Sequence, residues 1–176
     1  LKIKQTISAL RLKDHINQML TATKGGKINI SEEKDTKSVA EKFSKLIKQG
    51  DFILLSGNLG VGKTTFIKHL INSLQKANKQ KISEVTSPTF NITNKYQIKK
   101  TLIKHYDLYR IKNKKELYNL GIQENLNDQI TLVEWPKIIK KIKVKNSINL
   151  IFEYKKNYTE RYISIISKNK KFLNEF

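Results

Sequence analysis

The stretch from Phe52 to Phe66 constrains the fold of this chain more than any other. Its first four residues, Phe52 to Leu55, are all apolar, which is typical of a strand buried on both faces. The next residues, Gly57 to Thr64, match the pattern G-x-x-x-x-G-K-[ST]. A helical apolar stripe follows: Phe66, Ile67, Leu70, Ile71 and Leu74. The order strand, loop, helix predicts a phosphate-binding P-loop rather than a chance Gly-rich turn.

Each residue type in this loop suits a triphosphate. Gly57, Gly60 and Gly62 allow positive φ angles and a close approach of backbone N–H groups to phosphate oxygens. Lys63 supplies a point charge for the β and γ phosphates, and the Thr64 hydroxyl is placed to ligate Mg²⁺. The N-terminus of the following helix also favours an anion. The sequence therefore predicts nucleotide binding with Mg²⁺ at this loop.

Composition is that of a globular domain. The chain has 176 residues, which is enough for one domain with a substantial core. It contains no run of eighteen or more apolar residues and no pattern of a signal peptide, so we expect a cytoplasmic protein. The absence of cysteine excludes disulfides and thiol chemistry.

The net charge of +20 has two interpretations. It could mark a nucleic-acid surface, but nearly all of it is lysine, with arginine only at positions 11, 110 and 161. The chain is also rich in Ile and Asn, the bias that an AT-rich genome imposes. We favour this bias over a dedicated surface, because base-reading surfaces prefer arginine. A weak, salt-sensitive attraction to RNA is expected in either case.

Residues 1 to 26 differ from the rest of the chain. Ile7, Leu10, Ile16 and Leu20 allow a short helix, and Gly25-Gly26 separates it from a strand-like segment at residues 27–30. We predict an extension without a function of its own, a functional appendage being the alternative, followed by a P-loop ATPase domain over residues 27–176. Ser31, with acidic residues directly after it, predicts the start of the domain's first helix.

A rigid turn follows the P-loop helix and a polar linker predicted at Lys76 to Lys81. Pro88 fixes the backbone of the segment from Val85 to Phe90, which presents hydroxyl groups on both sides. In other P-loop NTPases a threonine in such a loop follows the γ-phosphate. Thr89 is our candidate for that role, and an ordinary turn hydroxyl is the alternative.

Asp107 is the next candidate. It follows the apolar segment from Thr101 to Ile103, at the sheet edge where P-loop enzymes gather metal ligands and water-orienting groups. His105 is expected to pack or to cap rather than to catalyse, because phosphoryl transfer rarely requires an imidazole base. Arg110 pairs with Asp107 or reaches the phosphates, and the sequence does not distinguish the two.

Glu134 closes a third apolar run, Ile130 to Val133, and this pattern is typical of a Walker B strand whose acid holds Mg²⁺. The alternative is an exposed acid at a strand end. Trp135 adds a stacking face beside it. Two alternating segments, 148–154 and 161–166, predict a β-hairpin at the edge of the sheet.

Together these segments resemble the TsaE (YjeE) family, the small P-loop ATPases of bacterial tRNA threonylcarbamoyladenosine (t6A) synthesis. The resemblance runs from about residue 27 to about 166. The four matching motifs, in the family's order, are the P-loop from Gly57 to Phe66, Ser87-Pro88-Thr89-Phe90 with Tyr96, His105 to Arg110, and Leu132 to Pro136.

The resemblance implies an α/β protein of the P-loop NTPase type: a three-layer fold with a mixed, mostly parallel sheet and a C-terminal β-hairpin at its edge. It also implies binding of ATP and Mg²⁺, with slow hydrolysis that depends on the partner proteins TsaD and TsaB. In that family TsaD, with TsaB, transfers the threonylcarbamoyl group to adenosine 37 of ANN-decoding tRNAs. Contact of this chain with tRNA is expected to be indirect or weak.

The resemblance also implies roles for particular residues. Lys63, Asp107 and Thr89 would serve hydrolysis, Thr64 and Glu134 would bind Mg²⁺, and Trp135 would lie near the nucleotide. The region around Glu33 and Thr36 would help to hold the base. The phosphate-binding loop would be Asn58, Leu59, Gly60, Val61, Gly62, Lys63, Thr64 and Thr65. Asn58 departs from the family, which usually has an acid there, and this affects loop electrostatics rather than nucleotide binding.

Two other functions use the same motifs. A small-molecule kinase would phosphorylate a bound acceptor, but such enzymes usually need an arginine-bearing lid to exclude water, and this chain has few arginines. An RNA-binding module would use ATP only as a conformational switch. It would differ from charge-only attraction in binding tRNA at moderate salt and in a nucleotide-dependent manner.

Overall fold

The computed structural model describes residues 26–139 and 147–176. The predicted helix around Ile7 to Leu20 lies outside the described residues. The strands are β1 (Ile28–Asn29), β2 (Phe52–Ser56), β3 (Thr93–Ile98), β4 (Thr101–Asp107), β5 (Gln129–Glu134), β6 (Ser147–Lys155) and β7 (Glu160–Ser167). The α-helices are α1 (Glu33–Ser44), α2 (Lys63–Ala77), α3 (Lys114–Asn119) and α4 (Lys170–Leu173), with 3-10 turns at Leu126–Asp128 and Pro136–Ile139.

The strands form one mixed sheet in the order β1-β7-β6-β2-β5-β4-β3. The four central strands, β6, β2, β5 and β4, run parallel to one another. The outer strands β3, β7 and β1 pair antiparallel with their neighbours. The predicted P-loop NTPase-like sheet is therefore confirmed, with its parallel part at the centre, where apolar strands such as β2 are covered on both faces.

Strand β2 separates two apolar cores because successive side chains point to opposite faces. Ile53 and Leu55 pack into the larger core with α1 and α2. Phe52 packs into the smaller core on the other face, with Tyr106 and Leu117 of α3. The molecule thus has the predicted three layers, and among the described residues the second outer layer is formed by α3, the 3-10 turns and loops.

Aromatic side chains connect distant parts of the larger core. Phe43 of α1 contacts Phe66 of α2 and Phe172 of α4, edge to face, with ring centroids 5.5 and 5.1 Å apart. Phe66 in turn contacts Phe152 of β6, at 5.8 Å. Such pairs contribute about 0.5–1.5 kcal/mol each beyond their burial. They fix the P-loop helix against both α1 and the C-terminal strands.

The predicted C-terminal hairpin is confirmed. Strands β6 and β7 pair from Lys155↔Glu160 back to Ile148↔Ser167, and β6 adds in parallel to β2. The first strand-like segment, predicted at residues 27–30, forms the two-residue β1 outside β7. The hairpin thus builds one side of the sheet, and β1 provides its short outermost strand.

Two predicted boundaries are wrong. The first helix begins at Glu33 with Glu32 at its N-cap, whereas the Ser31 hydroxyl donates to Asn29 Oδ1 over 2.7 Å. The polar segment 76–81 begins inside α2, which continues to Ala77 because nothing in it breaks a helix. Within the two described ranges no helix is long and apolar enough to cross a membrane.

Candidate nucleotide-binding site

The carboxyl ends of three parallel strands meet at one edge of the sheet. β2 runs directly into the P-loop, β5 ends at Glu134 and β4 ends at Asp107. In register, Glu134 lies beside both Leu55 and Asp107. Predicted site residues that are far apart in sequence are therefore neighbours here, as expected for the switch point of a parallel sheet.

Positive φ angles in the loop are confirmed at all three glycines: 148° at Gly57, 74° at Gly60 and 109° at Gly62. Gly57 and Gly62, however, are needed for different reasons. A Cβ on Gly57 would lie 2.5 Å from the carbonyl oxygen of Phe152, whereas one on Gly62 would meet nothing within 4 Å. Gly57 is thus needed for packing against β6. Gly62 keeps open space at the start of α2, which fits a phosphate group.

Lys63 is buried, with 4 % of its surface exposed. Its Nζ donates to the carbonyl oxygens of Gly57, at 3.0 Å, and Asn58, at 2.8 Å, and lies 4.1 Å from the centroid of the Trp135 ring. Burial lowers the pKa of Lys63, while the nearby carboxylates of Glu134 and Asp107 oppose that shift. Trp135 therefore faces the lysine that would meet phosphate.

Thr64 and Glu134 are in direct contact. The Thr64 hydroxyl lies 2.9 Å from Glu134 Oε1 and 3.1 Å from Oε2, and Glu134 is buried. A hydroxyl and a carboxylate are ligands that Mg²⁺ accepts. In the part of the chain that the structure describes, no three His, Asp or Glu side chains form a metal-binding group. These residues therefore fit a Mg²⁺ ion that takes its remaining ligands from phosphate and water, as is usual for this ion.

Three donors surround Asp107. Ser87 and Thr89 place their hydroxyls 2.7 and 2.8 Å from Oδ2, and the backbone N–H of Tyr109 donates to Oδ1 over 3.0 Å. Thr89 is thus brought to Asp107, and its role at the γ-phosphate stays a prediction. Ser87 was not among the predicted site residues, although it belongs to the same motif and the same Pro-fixed turn. Arg110 stacks on Phe90 instead, with its guanidinium carbon 4.6 Å from the ring centroid.

His105 is fully buried, and its Nε2 lies 3.0 Å from Glu134 Oε1. We expected His105 to pack or to cap. That expectation did not include this contact with Glu134, the acid at the end of the predicted Walker B strand. Strand alternation could have revealed it, because His105 and Asp107 share a face of β4 and Glu134 lies beside Asp107 on the neighbouring strand.

The residues predicted to hold the base lie on α1, which packs against the P-loop helix. Glu33 is exposed and its Oε1 lies 2.9 Å from His69 Nε2 of α2. Thr36 is buried, and its hydroxyl donates to the carbonyl oxygen of Ile30 over 3.4 Å. Base contact by these two side chains stays a prediction.

A Gly-rich loop between a central parallel strand and a helix, with an acid ending the adjacent strand, defines a P-loop nucleotide-binding protein. The model of one family, described as "Threonylcarbamoyl adenosine biosynthesis protein TsaE", matches residues 30–163. The chain therefore belongs to the TsaE family.

Comparison with individual relatives supports the same family. The tRNA threonylcarbamoyladenosine biosynthesis protein TsaE of Rickettsia conorii is 37% identical over 141 residues, which cover 80% of this chain and 78% of the relative. The protein of the same name from Aquifex aeolicus is 35% identical over 127 residues, covering 72% and 89%. The crystal structure of Bacillus subtilis YdiB matches with a TM-score of 0.65 at 24% identity, over 85% of this chain and 90% of that one, and supports the fold.

Proposed function

We propose that this chain is a Mg²⁺-dependent ATPase that supports t6A synthesis on tRNA in the cytoplasm, acting with the proteins TsaD and TsaB. The contact between the Thr64 hydroxyl and the Glu134 carboxylate carries the proposal. It joins the start of the P-loop helix to the end of the adjacent strand, where P-loop NTPases hold their cation. Membership of the TsaE family supports the role in t6A synthesis.

Phosphate binding falls to the loop and to Lys63. The ammonium donates to two carbonyl oxygens of its own loop. To bind ATP it exchanges these partners for oxygens of the β and γ phosphates, a stronger interaction because both partners are then charged. Backbone N–H groups at the start of α2 add further donors. Thr64 and Glu134 would hold Mg²⁺, which would neutralise charge on the transferring phosphoryl group.

Asp107 acts on the attacking water. Its Oδ2 faces two hydroxyls, Ser87 and Thr89, which lie 2.8 Å from each other. Each hydroxyl has one hydrogen, so the two hydrogens serve three contacts among these groups. One hydroxyl can therefore rotate and release a lone pair of Oδ2 without breaking the cluster. A water bound there is oriented by Asp107 and Thr89 together, which supports hydrolysis.

The contacts made by the arginines lead us to expect that ATP hydrolysis depends on partner proteins. Arg110 is exposed and stacks on Phe90, while Arg161 lies over Tyr154, with its guanidinium carbon 5.9 Å from the ring centroid. An arginine that approaches the transferring phosphoryl group accelerates hydrolysis by about 10³–10⁵-fold in related NTPases. With both arginines of the described ranges 26–139 and 147–176 engaged elsewhere, we expect weak hydrolysis by the chain alone and faster hydrolysis with TsaD and TsaB.

The test is ATP hydrolysis by the purified chain, alone and with TsaD and TsaB. We expect a slow rate that rises with the partners and that Lys63→Ala lowers by about 100-fold or more, since one lost charge-stabilising donor costs that much. Lys68→Ala removes an exposed lysine from the same helix and should leave the rate unchanged.

Other results would contradict the proposal. Vigorous hydrolysis that the partners do not change would separate the chain from t6A synthesis and would favour a small-molecule kinase. A rate that Lys63→Ala does not change would show that the measured activity does not arise at this loop.

A further inference from the structure

We propose that His105 is a positioning residue for the cation site: it holds Oε1 of Glu134 so that Oε2 is the oxygen presented to Mg²⁺. The inference rests on the proposed function and refines it at one carboxylate. The observation behind it is the hydrogen bond of 3.0 Å between His105 Nε2 and Glu134 Oε1.

The contact is built into the sheet. On β4, His105 is opposite Leu132 and Asp107 is opposite Glu134 of β5. Side chains two residues apart on a strand share a face, so His105 is the diagonal neighbour of Glu134. Both residues are almost completely buried, at 0 % and 2 % exposure. Neither ring nor carboxylate can turn to solvent, so the contact persists as the surroundings change.

The proton on His105 can be assigned from its partners. An ionised carboxylate only accepts hydrogen bonds, so Nε2 must be the donor. His105 Nδ1 is buried and has no hydrogen-bond partner among the described residues. Of the two neutral tautomers, only the one with hydrogen on Nε2 can make this contact with the carboxylate.

The two oxygens of Glu134 are consequently unequal. Oε1 accepts from His105 and lies 2.9 Å from the Thr64 hydroxyl, whereas Oε2 has only the longer, 3.1 Å contact with that hydroxyl. A carboxylate that ligates Mg²⁺ through one oxygen needs the other held by a donor, or its terminal torsion is free to turn. His105 supplies that donor from the core side. Oε2 is left for the cation, beside the Thr64 hydroxyl.

Removal of the His105 donor should weaken Mg²⁺ binding and leave nucleotide binding nearly unchanged. Loss of a hydrogen bond to a metal ligand lowers metal affinity by roughly 10- to 100-fold. We expect this loss for His105→Leu, which has similar bulk and no donor. His105→Gln places an amide N–H close to the position of Nε2 and should recover most of the affinity. The affinity for ADP without a divalent cation should change little in either variant.

The experiment measures Mg²⁺ affinity at a saturating ADP concentration and ADP affinity in EDTA. The signal is the fluorescence of Trp135, the chain's single tryptophan, whose ring contacts Lys63. Thr131→Val is the matched control: it alters a buried hydroxyl of the same strand that accepts from Gln129 Nε2 over 3.1 Å, away from Glu134. It should lower stability and leave Mg²⁺ affinity unchanged.

The outcomes separate the two proposals. If the wild-type protein responds to Mg²⁺ and His105→Leu responds with equal affinity, the role of His105 is overturned while the ATPase proposal stands. If ADP binding by the wild-type protein does not respond to Mg²⁺, the cation site itself is refuted and this inference falls with it. Equal losses in His105→Leu, His105→Gln and Thr131→Val would mean general destabilisation and would also overturn it.

A measurement on the wild-type protein avoids any question of folding. The ¹⁵N chemical shifts of the histidine rings distinguish the two neutral tautomers and the charged ring. We expect His105 to carry hydrogen on Nε2. A hydrogen on Nδ1 alone would make Nε2 an acceptor, which cannot bond to the carboxylate, and would overturn the inference.

Discussion

Buried ionisable side chains at the site are each held by hydrogen-bond partners. Lys63 donates to carbonyl oxygens of the preceding loop, Glu134 accepts from Thr64 and His105, and Asp107 accepts from Ser87 and Tyr109. A buried charge costs several kcal/mol unless such partners compensate it. The fold tolerates this local cost because function requires these charges at one place.

Tyr106 shows the effect of burial on a group outside the site. It is 1 % exposed in the smaller core, and burial, with the charge of Glu124 nearby, raises the pKa of Tyr106 to about 12. In the unfolded chain a tyrosine ionises near pH 10. Between these two values the folded state keeps a proton that the unfolded state loses. Stability contributed by this group is therefore present below pH 10 and is lost as pH rises toward 12.

We predict that Tyr106→Phe flattens the alkaline stability profile. The free energy of unfolding of the wild-type protein should fall more steeply above about pH 10 than that of the variant, because phenylalanine does not ionise. Chemical denaturation at a series of pH values measures both. Tyr118→Phe, at a position that is 84 % exposed, should follow the wild-type profile. Parallel profiles for wild type and Tyr106→Phe would contradict the prediction.

At the scale of elements, the P-loop has to join β2 to α2 while it passes close to β6. Gly57 makes that approach, against the carbonyl oxygen of Phe152, and Gly62 begins the helix. Both glycines have backbone conformations that other residues rarely adopt. The motif's glycines thus combine two requirements: one concerns packing of the sheet, and the other concerns space for phosphate.

Substitution should separate these requirements. Gly57→Ala and Gly62→Ala each force strain of about 1–3 kcal/mol. Gly57→Ala should cost more stability, because the added Cβ also meets backbone of β6 that cannot shift freely. Gly62→Ala should chiefly weaken ADP binding. Urea denaturation and ADP titration measure the two effects, with Gly26→Ala as a control at a position without close neighbours. Equal stability loss at Gly57 and Gly62 would refute the distinction.

For the whole molecule, the main quantity is the net charge of +20. Lysine accounts for nearly all the positive charge, and the two arginines in the described part, Arg110 and Arg161, both lie over aromatic rings. A lysine-rich surface attracts polyanions without reading their sequence. The charge therefore predicts a weak affinity for RNA and does not by itself define an RNA site.

We predict that tRNA binding is electrostatic only. Affinity should fall by at least about tenfold between about 50 and 200 mM salt, because counterion release dominates it. It should be the same with and without ATP, and heparin should compete equally well. Filter binding tests this. Binding that persists at moderate salt and depends on nucleotide would instead support an ATP-switched RNA-binding module.

The local patterns that the sequence carried were sufficient for much of the fold. The apolar runs of β2 and β5 and the alternation in β6 and β7 predicted strands that the structure contains. Boundaries were less predictable. α1 starts at Glu33 rather than at Ser31, since the Ser31 side chain bonds to Asn29 and accepts from the backbone N–H of Arg161. That competing contact comes from a strand far along the chain.

By itself the sequence determined the P-loop, the candidate acids Asp107 and Glu134, and the family that these motifs resemble. Each depends on residue types at short spacing, which local chemistry constrains. Only the tertiary structure decided that Ser87 holds Asp107, that Trp135 faces Lys63 and that His105 donates to Glu134. Strand order and register set these contacts. Both arise from packing between segments far apart in the chain, which the spacing of residues within one segment does not reveal.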